Sequence, residues 1–349
     1  MNTPDNSNLD RMALQAAQNG TIIYDRTHWG RLRVRGDDRL RFLHNQSTND
    51  FQSLKPGQSR ETVFVTSTAR TIDLASAYAT EADVLLLVSP NRRQTLLDWL
   101  DRYIFPMDQV EVEDITEATA CFSLIGEASQ AKLGELGIVA DDLVPNDADL
   151  THQLVQFAGG EVRLAAGCGL ALPGYTTIGD RDRISQLTEA LTRAGAISAS
   201  DTVWEQLRVQ QGRPAPDAEL TEDYNPLEAR LWPTISFEKG CYIGQETIAR
   251  LNTYKGVKTQ LWGIRLMGKA QPGTPITLGD EKIGQLTSVV ETGEGYIGLG
   301  YIRTKAGGAG LKVQVGETQG EAIDVPFLTR QAGCHSSTTK RHGQNGNNF

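Results

Sequence analysis

The sequence predicts an α+β protein with more than one domain, and three observations carry that expectation. At 349 residues the chain exceeds one typical hydrophobic core, so two or three domains are expected. Its strand-like segments arrive in adjacent pairs between amphipathic helices, which favours antiparallel sheets covered by helices over a doubly wound parallel sheet. From Gln260 onward, short alternating segments are separated by Gly-rich turns with no helix signal, the pattern of a small all-β barrel or sandwich.

Each element has its own warrant. Residues 1–20 are polar, with one short helix expected over Leu9–Ala17. "GRLRVRG" (30–36) alternates as a strand, and "DDRLRFLHNQSTND" (37–50) places Leu40, Phe42 and Leu43 on one helical face with Asp37 as N-cap. "ETVFVTST" and "TIDLASAYAT" read as two strands joined by a turn at Thr68–Arg70, and "DVLLLVS" as a third. "PNRRQTLLDWLDRYI" carries Leu96, Leu97, Leu100 and Ile104 on one face and predicts a helix. A first lobe is therefore expected over 21–115.

A second lobe is expected over 116–200. "QVEVEDIT", just before that boundary, and "ACFSLIG" read as strands, and "EASQAKLGELG" as a helix ended by Gly137. "EVRLAAG" is a further strand, and "DRDRISQLTEALTRAG" a helix capped by Asp180 and ended by Gly195. Residues 201–258 complete these lobes. There "DTVWEQLRVQQGRP" predicts a helix stopped by Gly212 and Pro214. A loop of about 26 residues follows, too long and too aromatic to be a passive connector. "LWGIRLMG", "TPITLGDEKIGQLTSVVET", "GYIGLGYIR" and "LKVQVG" supply the barrel over 259–330. The polar, Gly/Asn/Ser-rich residues 331–349 predict a disordered tail.

Composition excludes several function classes. A formal net charge of −9 argues against broad electrostatic binding of nucleic acid. The longest apolar run, "ADVLLLVS", fits a buried strand and not a membrane span, and the N-terminus has neither a signal-peptide nor a transit-peptide pattern. Cys121, Cys168, Cys241 and Cys334 are scattered without a C-x-x-C pair, so neither a disulfide framework nor a permanently bound metal is expected, and a reducing cytoplasm is. Cys121 and Cys168 lie in apolar or Gly-rich segments and read as buried, inert thiols.

Cys241 stands apart. In "KGCYIGQETIARL" (239–251), Ile235 and Phe237 upstream alternate as the end of a short strand, and Gly240 and Gly244 allow tight backbone geometry around the cysteine. "QETIARL" then has helical composition. Cys241 is thus expected in a strand-to-helix loop near free backbone N–H groups, two residues from Lys239, both of which favour a thiolate; Glu246 opposes them if it comes close.

The ungapped run from Lys239 to Arg250 resembles the signature of the YgfZ-type folate-binding family, which acts in iron–sulfur cluster biogenesis and repair and is related to the aminomethyltransferase T-protein of glycine cleavage. "VRGDDRLRFLHNQSTNDFQSLKPGQ", "LRVQQGRP" and "YNPLEARL" agree with that family in order and spacing, and the resemblance covers roughly residues 22–330. It implies a three-lobed aminomethyltransferase-like fold around a central hole that holds tetrahydrofolate, with the barrel as third lobe. Carried onto this chain, Cys241 is the functional thiol. Lys239, Tyr242, Gln245 and Glu246 shape its loop, with Arg250 on the next helix. Glu228 is placed to accept paired N–H bonds from a pterin edge. Asp73 matches a folate-proximal aspartate of the aminomethyltransferases, although the Gly usual in the preceding turn is absent. Tyr224 and Trp232 read as stacking or packing aromatics, and Arg208 as a partner for a nearby carboxylate.

The function implied is folate binding coupled to iron–sulfur assembly or repair, with client iron–sulfur proteins as partners. A folate-dependent aminomethyltransferase using Asp73 is the alternative, and a pure docking module a third reading.

Overall fold

The computed structural model describes residues 6–143 and 150–330. The expected tail, with Cys334, lies outside the described residues.

Helix α1 (Asn6–Asn19) leads into β1 (Ile22–Asp25), whose first three residues are buried on both faces. Next come β2 (Gly30–Arg35), α2 (Arg39–Gln46), β3 (Ser59–Val65), β4 (Thr71–Ala79), β5 (Asp83–Val88), α3 (Arg93–Arg102) and β6 (Glu111–Asp114). The order β3-β4-β5-β2-β6 makes one antiparallel five-stranded sheet. Leu96 and Leu100 of α3, Phe42 and Leu43 of α2, and Leu32, Val34 and Leu86 of the sheet form its core. The cap of α2 is displaced by one residue from expectation. Asp38 occupies it without a capping bond, because its carboxylate accepts from Arg41 and from the Gln109 backbone N–H instead.

The second sheet contains β7 (Thr119–Ile125), β8 (His152–Phe157), β9 (Gly160–Ala166), β10 (Gly174–Asp180) and β11 (Ile197–Ala199). These are accompanied by α4 (Ser129–Glu135) and α5 (Arg181–Arg193). Its order is β11-β1-β7-β10-β9-β8, so the chain's first strand is hydrogen-bonded here, parallel to β11 and antiparallel to β7. Ile23 faces the core under α4 and α5, while Ile22 and Tyr24 face the layer shared with α1 and the first sheet. Asp180 caps α5 as expected, accepting from the Asp182 and Arg183 N–H groups.

Helix α6 (Asp201–Gln211) ends at Gly212, whose φ of +85° suits glycine. The long loop that follows is ordered and partly buried, with Leu220, Leu227, Ala229 and Leu231 all in the interior. Beyond α7 (Gln245–Thr253) lie β12 (Thr259–Leu266), β13 (Pro275–Leu278), β14 (Glu281–Thr292), β15 (Gly295–Arg303), β16 (Lys312–Val315) and β17 (Thr318–Ile323), which close into a six-stranded barrel, followed by α8 (Pro326–Thr329).

The three bodies meet at α6 and its loop. Val63, Val65 and Leu74 of the first sheet share one apolar cluster with Val209 of α6, Leu220 and Ala229 of the loop, and Leu261, Leu299 and Tyr301 of the barrel. A polar knot fixes the same junction. The fully buried Glu219 carboxylate accepts from Arg208 (3.1 Å), from the hydroxyls of Thr287 and Ser288 (2.6 Å each) and from the Ala215 N–H (3.0 Å), while Tyr301 donates to its carbonyl (2.8 Å).

Candidate functional site

The segment before Cys241 is not the strand that its alternation predicts. A turn of 3-10 helix at Trp232–Thr234 is followed by irregular backbone, Ile235 is buried and Phe237 is 43 % exposed. Edge pairing is lacking: the Ser236 N–H donates to the Thr48 carbonyl (3.0 Å) and the Thr48 hydroxyl to the Thr234 carbonyl (2.8 Å), and these bonds to one residue tie the segment to the first lobe. Cys241 therefore follows a loop, not a strand, and it is exposed, whereas Cys121 and Cys168 are buried.

The loop is strapped over the C-terminal turn of α2. Lys239 Nζ donates to the carbonyls of His44, Ser47 (2.7 Å) and Asn49 (2.7 Å), using all three of its N–H bonds. Burial pushes its pKa down to about 7, opposed by Asp50, and the ammonium also lies 4.6 Å from the Tyr242 ring centre. Lys239 thus caps α2 and is not aimed at the thiol. On the other side of the cysteine, the Ile243 N–H donates to the Asn45 carbonyl (3.1 Å). That amide is consequently taken, and α7 begins at Gln245, four residues past the thiol. Tyr242 packs with Ala69, Leu227, Ile235 and Ile248. Gln245 is half-buried; Glu246 and Arg250 are exposed on α7, and neither forms an ion pair among the described residues.

Glu228 is close in the fold to this loop through its neighbour Leu227, but its oxygens have local partners. One accepts from the Asn225 N–H (3.1 Å) and Nδ2 (2.7 Å), the other from the Thr259 hydroxyl (3.2 Å), so Glu228 joins the loop to the barrel. Tyr224 stacks on Tyr301 at 3.5 Å between centres. Arg208 pairs with Glu205 and Glu219; burial works against its charge, and the two carboxylates more than offset that.

Asp73 belongs to a separate, inner constellation. It is fully buried on β4 and accepts from the Ser89 N–H (2.8 Å) and hydroxyl (2.7 Å). Burial raises its carboxyl pKa to about 6, against the opposing effect of the Ser89 bonds and Arg213. Ser89 in turn lines a cavity of about 380 Å³ where β1, α6 and the segments 89–91 and 213–216 meet. Tyr24, Trp29 and Trp204 wall it: Tyr24 stacks on Trp204 (4.5 Å, 8°), and Trp29 meets Trp204 edge-on (5.9 Å). Arg213, also in the wall, gives one nitrogen to the Gly169 carbonyl (2.9 Å) and Glu61 (3.3 Å). Burial lowers its pKa to about 10, opposed by Glu61, which leaves it a cation at neutral pH. Behind Trp29, the buried Arg26 lies 3.7 Å from the Trp29 ring centre, and its Nε and Nη2 have no hydrogen-bond partner.

Of the site residues singled out in the sequence, Arg208 alone lines this cavity; the motif residues, Glu228 and Asp73 do not. Trp29, Trp204, Arg26, Arg213 and Asp50 carry no site signal of their own because their partners come from distant segments, and His44 reads in the sequence as an isolated histidine without a role. The signal available was weak: Arg213 stands in "LRVQQGRP", and His44 and Asp50 bracket "HNQSTND". Among the described residues no group of three or more His, Cys, Asp or Glu could hold a metal ion, and no described helix is long and apolar enough to cross a membrane.

The Asp73 carboxyl makes stability pH-dependent in a stated direction. Its folded pKa lies above the unfolded value, so it favours the folded state fully below about pH 4, and that contribution is lost as pH rises through 6. Wild type should therefore lose on the order of 3 kcal/mol relative to Asp73→Asn between pH 4 and 7. Urea unfolding of both proteins across that range checks this; a difference that does not change with pH would mean that Asp73 titrates alike folded and unfolded.

Comparison with known proteins bears on both constellations. Residues 9–239 match the family model described as the GCVT N-terminal domain. The chain is 44 % identical over 325 residues to an Arabidopsis thaliana protein named "Putative transferase At1g60990, chloroplastic", covering 92 % of this chain and 74 % of that one. It is 26 % identical over 318 residues to the aminomethyltransferase of Thermosynechococcus vestitus, covering 89 % and 85 %. The fold superposes on the glycine cleavage system aminomethyltransferase T from Bartonella henselae with a TM-score of 0.81 at 17 % identity, over 91 % of this chain and 89 % of that one. The α+β, aminomethyltransferase-like fold with its C-terminal barrel is the one expected.

Proposed function

The chain belongs to the GCVT N-terminal domain family, and from that premise we propose that it binds tetrahydrofolate and uses Cys241 in thiol or sulfur chemistry that assists iron–sulfur cluster assembly or repair. The observation that carries the folate reading is the aromatic-walled cavity beside Arg213. Its residues fit such a ligand. Trp204 and Tyr24 offer flat faces to a heteroaromatic ring, and Arg213 offers donors to ring oxygens or a carboxylate. The unpartnered nitrogens of Arg26 lie behind the same wall. Bound there, tetrahydrofolate would supply a one-carbon acceptor.

The thiol reading rests on the contrast between an exposed Cys241, strapped in place, and two buried cysteines. A surface thiol held in a fixed loop can cycle through a mixed disulfide or persulfide with an outside partner. Client iron–sulfur proteins are the partners we propose. The proposed setting is a reducing aqueous compartment; the cytoplasm is the one expected here, whereas the plant relative's name places that protein in the chloroplast.

A second reading, folate-dependent aminomethyl transfer, draws support from the aminomethyltransferase relatives and from Asp73, a carboxyl poised to about pH 6 one hydrogen bond behind the cavity wall. Its two oxygens are both engaged by Ser89, so it would act on a ligand only through that residue.

Calorimetric titration with tetrahydrofolate separates these readings. Saturable binding is expected for wild type and Cys241→Ala, with Trp204→Ala and Arg213→Met each weakened roughly 10- to 100-fold through loss of stacking or of a charged donor. Cells carrying Cys241→Ala should then lose iron–sulfur enzyme activity. Unimpaired iron–sulfur enzymes beside a folate-dependent transfer activity would favour the second reading. Absence of binding by wild type would overturn both.

A further inference from the structure

We propose that His44, held by Asp50, is the base that takes the proton of Cys241. The inference deepens the reading of Cys241 as a reactive thiol and rests on it.

His44 lies in the last turn of α2 and is only 4 % exposed. Its Nδ1 lies 3.0 Å from Asp50 Oδ1. That carboxylate is itself fixed: the same oxygen accepts from the backbone N–H of Gln52 (3.0 Å) and Ser53 (3.4 Å), and Arg60 grips the Asp50 carbonyl. The Gln52 N–H also reaches within 3.5 Å of Nδ1 but lies closer to Asp50 Oδ1 (3.0 Å), and an ionised carboxylate accepts only, so Nδ1 carries the proton and Nε2 presents a lone pair. No described residue hydrogen-bonds Nε2. It faces the cysteine loop: a Cβ placed on Gly240, the residue before Cys241, would lie 3.7 Å from it.

The same turn of α2 fixes that loop on both sides. Lys239 binds the carbonyls of residues 44, 47 and 49, and the Ile243 N–H binds that of Asn45. Cys241 is the middle residue of a five-residue span stretched over His44. The arrangement matches the general order of an activated nucleophile: thiol, imidazole, orienting carboxylate.

The step is a proton transfer. The S–H bond breaks, the proton passes to the Nε2 lone pair, and a thiolate remains beside an imidazolium, with no change in oxidation state. The charged groups facing His44 are Asp50 on its own connection, with Arg60 behind it, and Lys239 from the motif loop. Burial, then Lys239, holds the imidazole below its usual range, against Asp50, so it is the neutral base near pH 7.

The test is the rate of iodoacetamide labelling from pH 5 to 9, read on the tryptic peptide Gly240–Arg250 so that other thiols do not contribute. Labelling forms the S–C bond and expels iodide. Wild type should be labelled at pH 7 roughly tenfold faster than a free thiol. His44→Gln should lose about that factor and the low-pH limb of the profile, Asp50→Asn should show a partial loss, and added imidazole should restore rate to His44→Ala. An unchanged profile in a folded His44→Gln protein, with wild type still fast, would overturn the role of His44 alone. If His44→Gln fails to fold, an unchanged profile in Asp50→Asn serves the same purpose. Wild type labelled as an ordinary thiol would overturn the reactive-cysteine reading together with this one.

Discussion

Glu219→Ala is expected to lose about 3–5 kcal/mol of stability, read by urea unfolding at neutral pH. The cost comes from what remains after the carboxylate is removed. Arg208 is buried, and although Glu205 still pairs with it, the guanidinium nitrogen that faced Glu219 loses its charged acceptor and keeps only the Arg213 carbonyl (3.3 Å). The Ser288 hydroxyl is buried too and loses its acceptor, and the Ala215 N–H has no other partner. Because the knot ties α6 and its loop to β14 and β15, the barrel should also become more open to limited proteolysis at the junction. A loss under 1 kcal/mol would mean that the apolar cluster around Leu220 and Tyr301 holds the junction unaided.

Lys239→Met should lose about 2–3 kcal/mol, again by urea unfolding. Methionine matches the length of the stem but abandons three carbonyls at the end of α2, where the helix dipole already favours a cation. Hydrogen exchange should show the amides of residues 44–49 opening together with those of 240–243, because one ammonium holds both. Full protection at the α2 end in the variant would show that water replaces the lysine there without loss.

Periodicity made much of this fold readable. The leucines of α3, the Asp180 cap of α5 and the Gly212 stop of α6 each act locally, and each lies where its sequence signal puts it. Strands without a local signal were harder. β10, "GYTTIGD", owes its place to pairing on both sides and to Gly174, where a Cβ would collide with the Leu124 carbonyl; its own residues are too small and polar to announce a core strand. β8 is an edge strand with two exposed residues among six. The false strand at Ile235–Phe237 alternates correctly but has no neighbour to pair with, which no local pattern reveals. The same limit applies to the candidate site. Cys241 stood out through its motif, whereas His44, Asp50, Arg213 and Trp204 gain meaning only from packing across the chain.

The placement of β1 bears on how the protein is made. Residues 22–25 leave the ribosome first among the strands, yet their partners are β7, about a hundred residues later, and β11, later still. The five-stranded sheet that β1 precedes can assemble in the interval, since all its members lie between Gly30 and Asp114. Throughout that time "IIYD" has both edges bare, a short apolar segment in need of protection. The two sheets are thereby interlaced: a cut near residue 115 gives an N-terminal fragment with a surplus strand and a C-terminal fragment with a vacancy beside β7. Co-expressed halves should recombine through that strand, and the C-terminal half alone should aggregate.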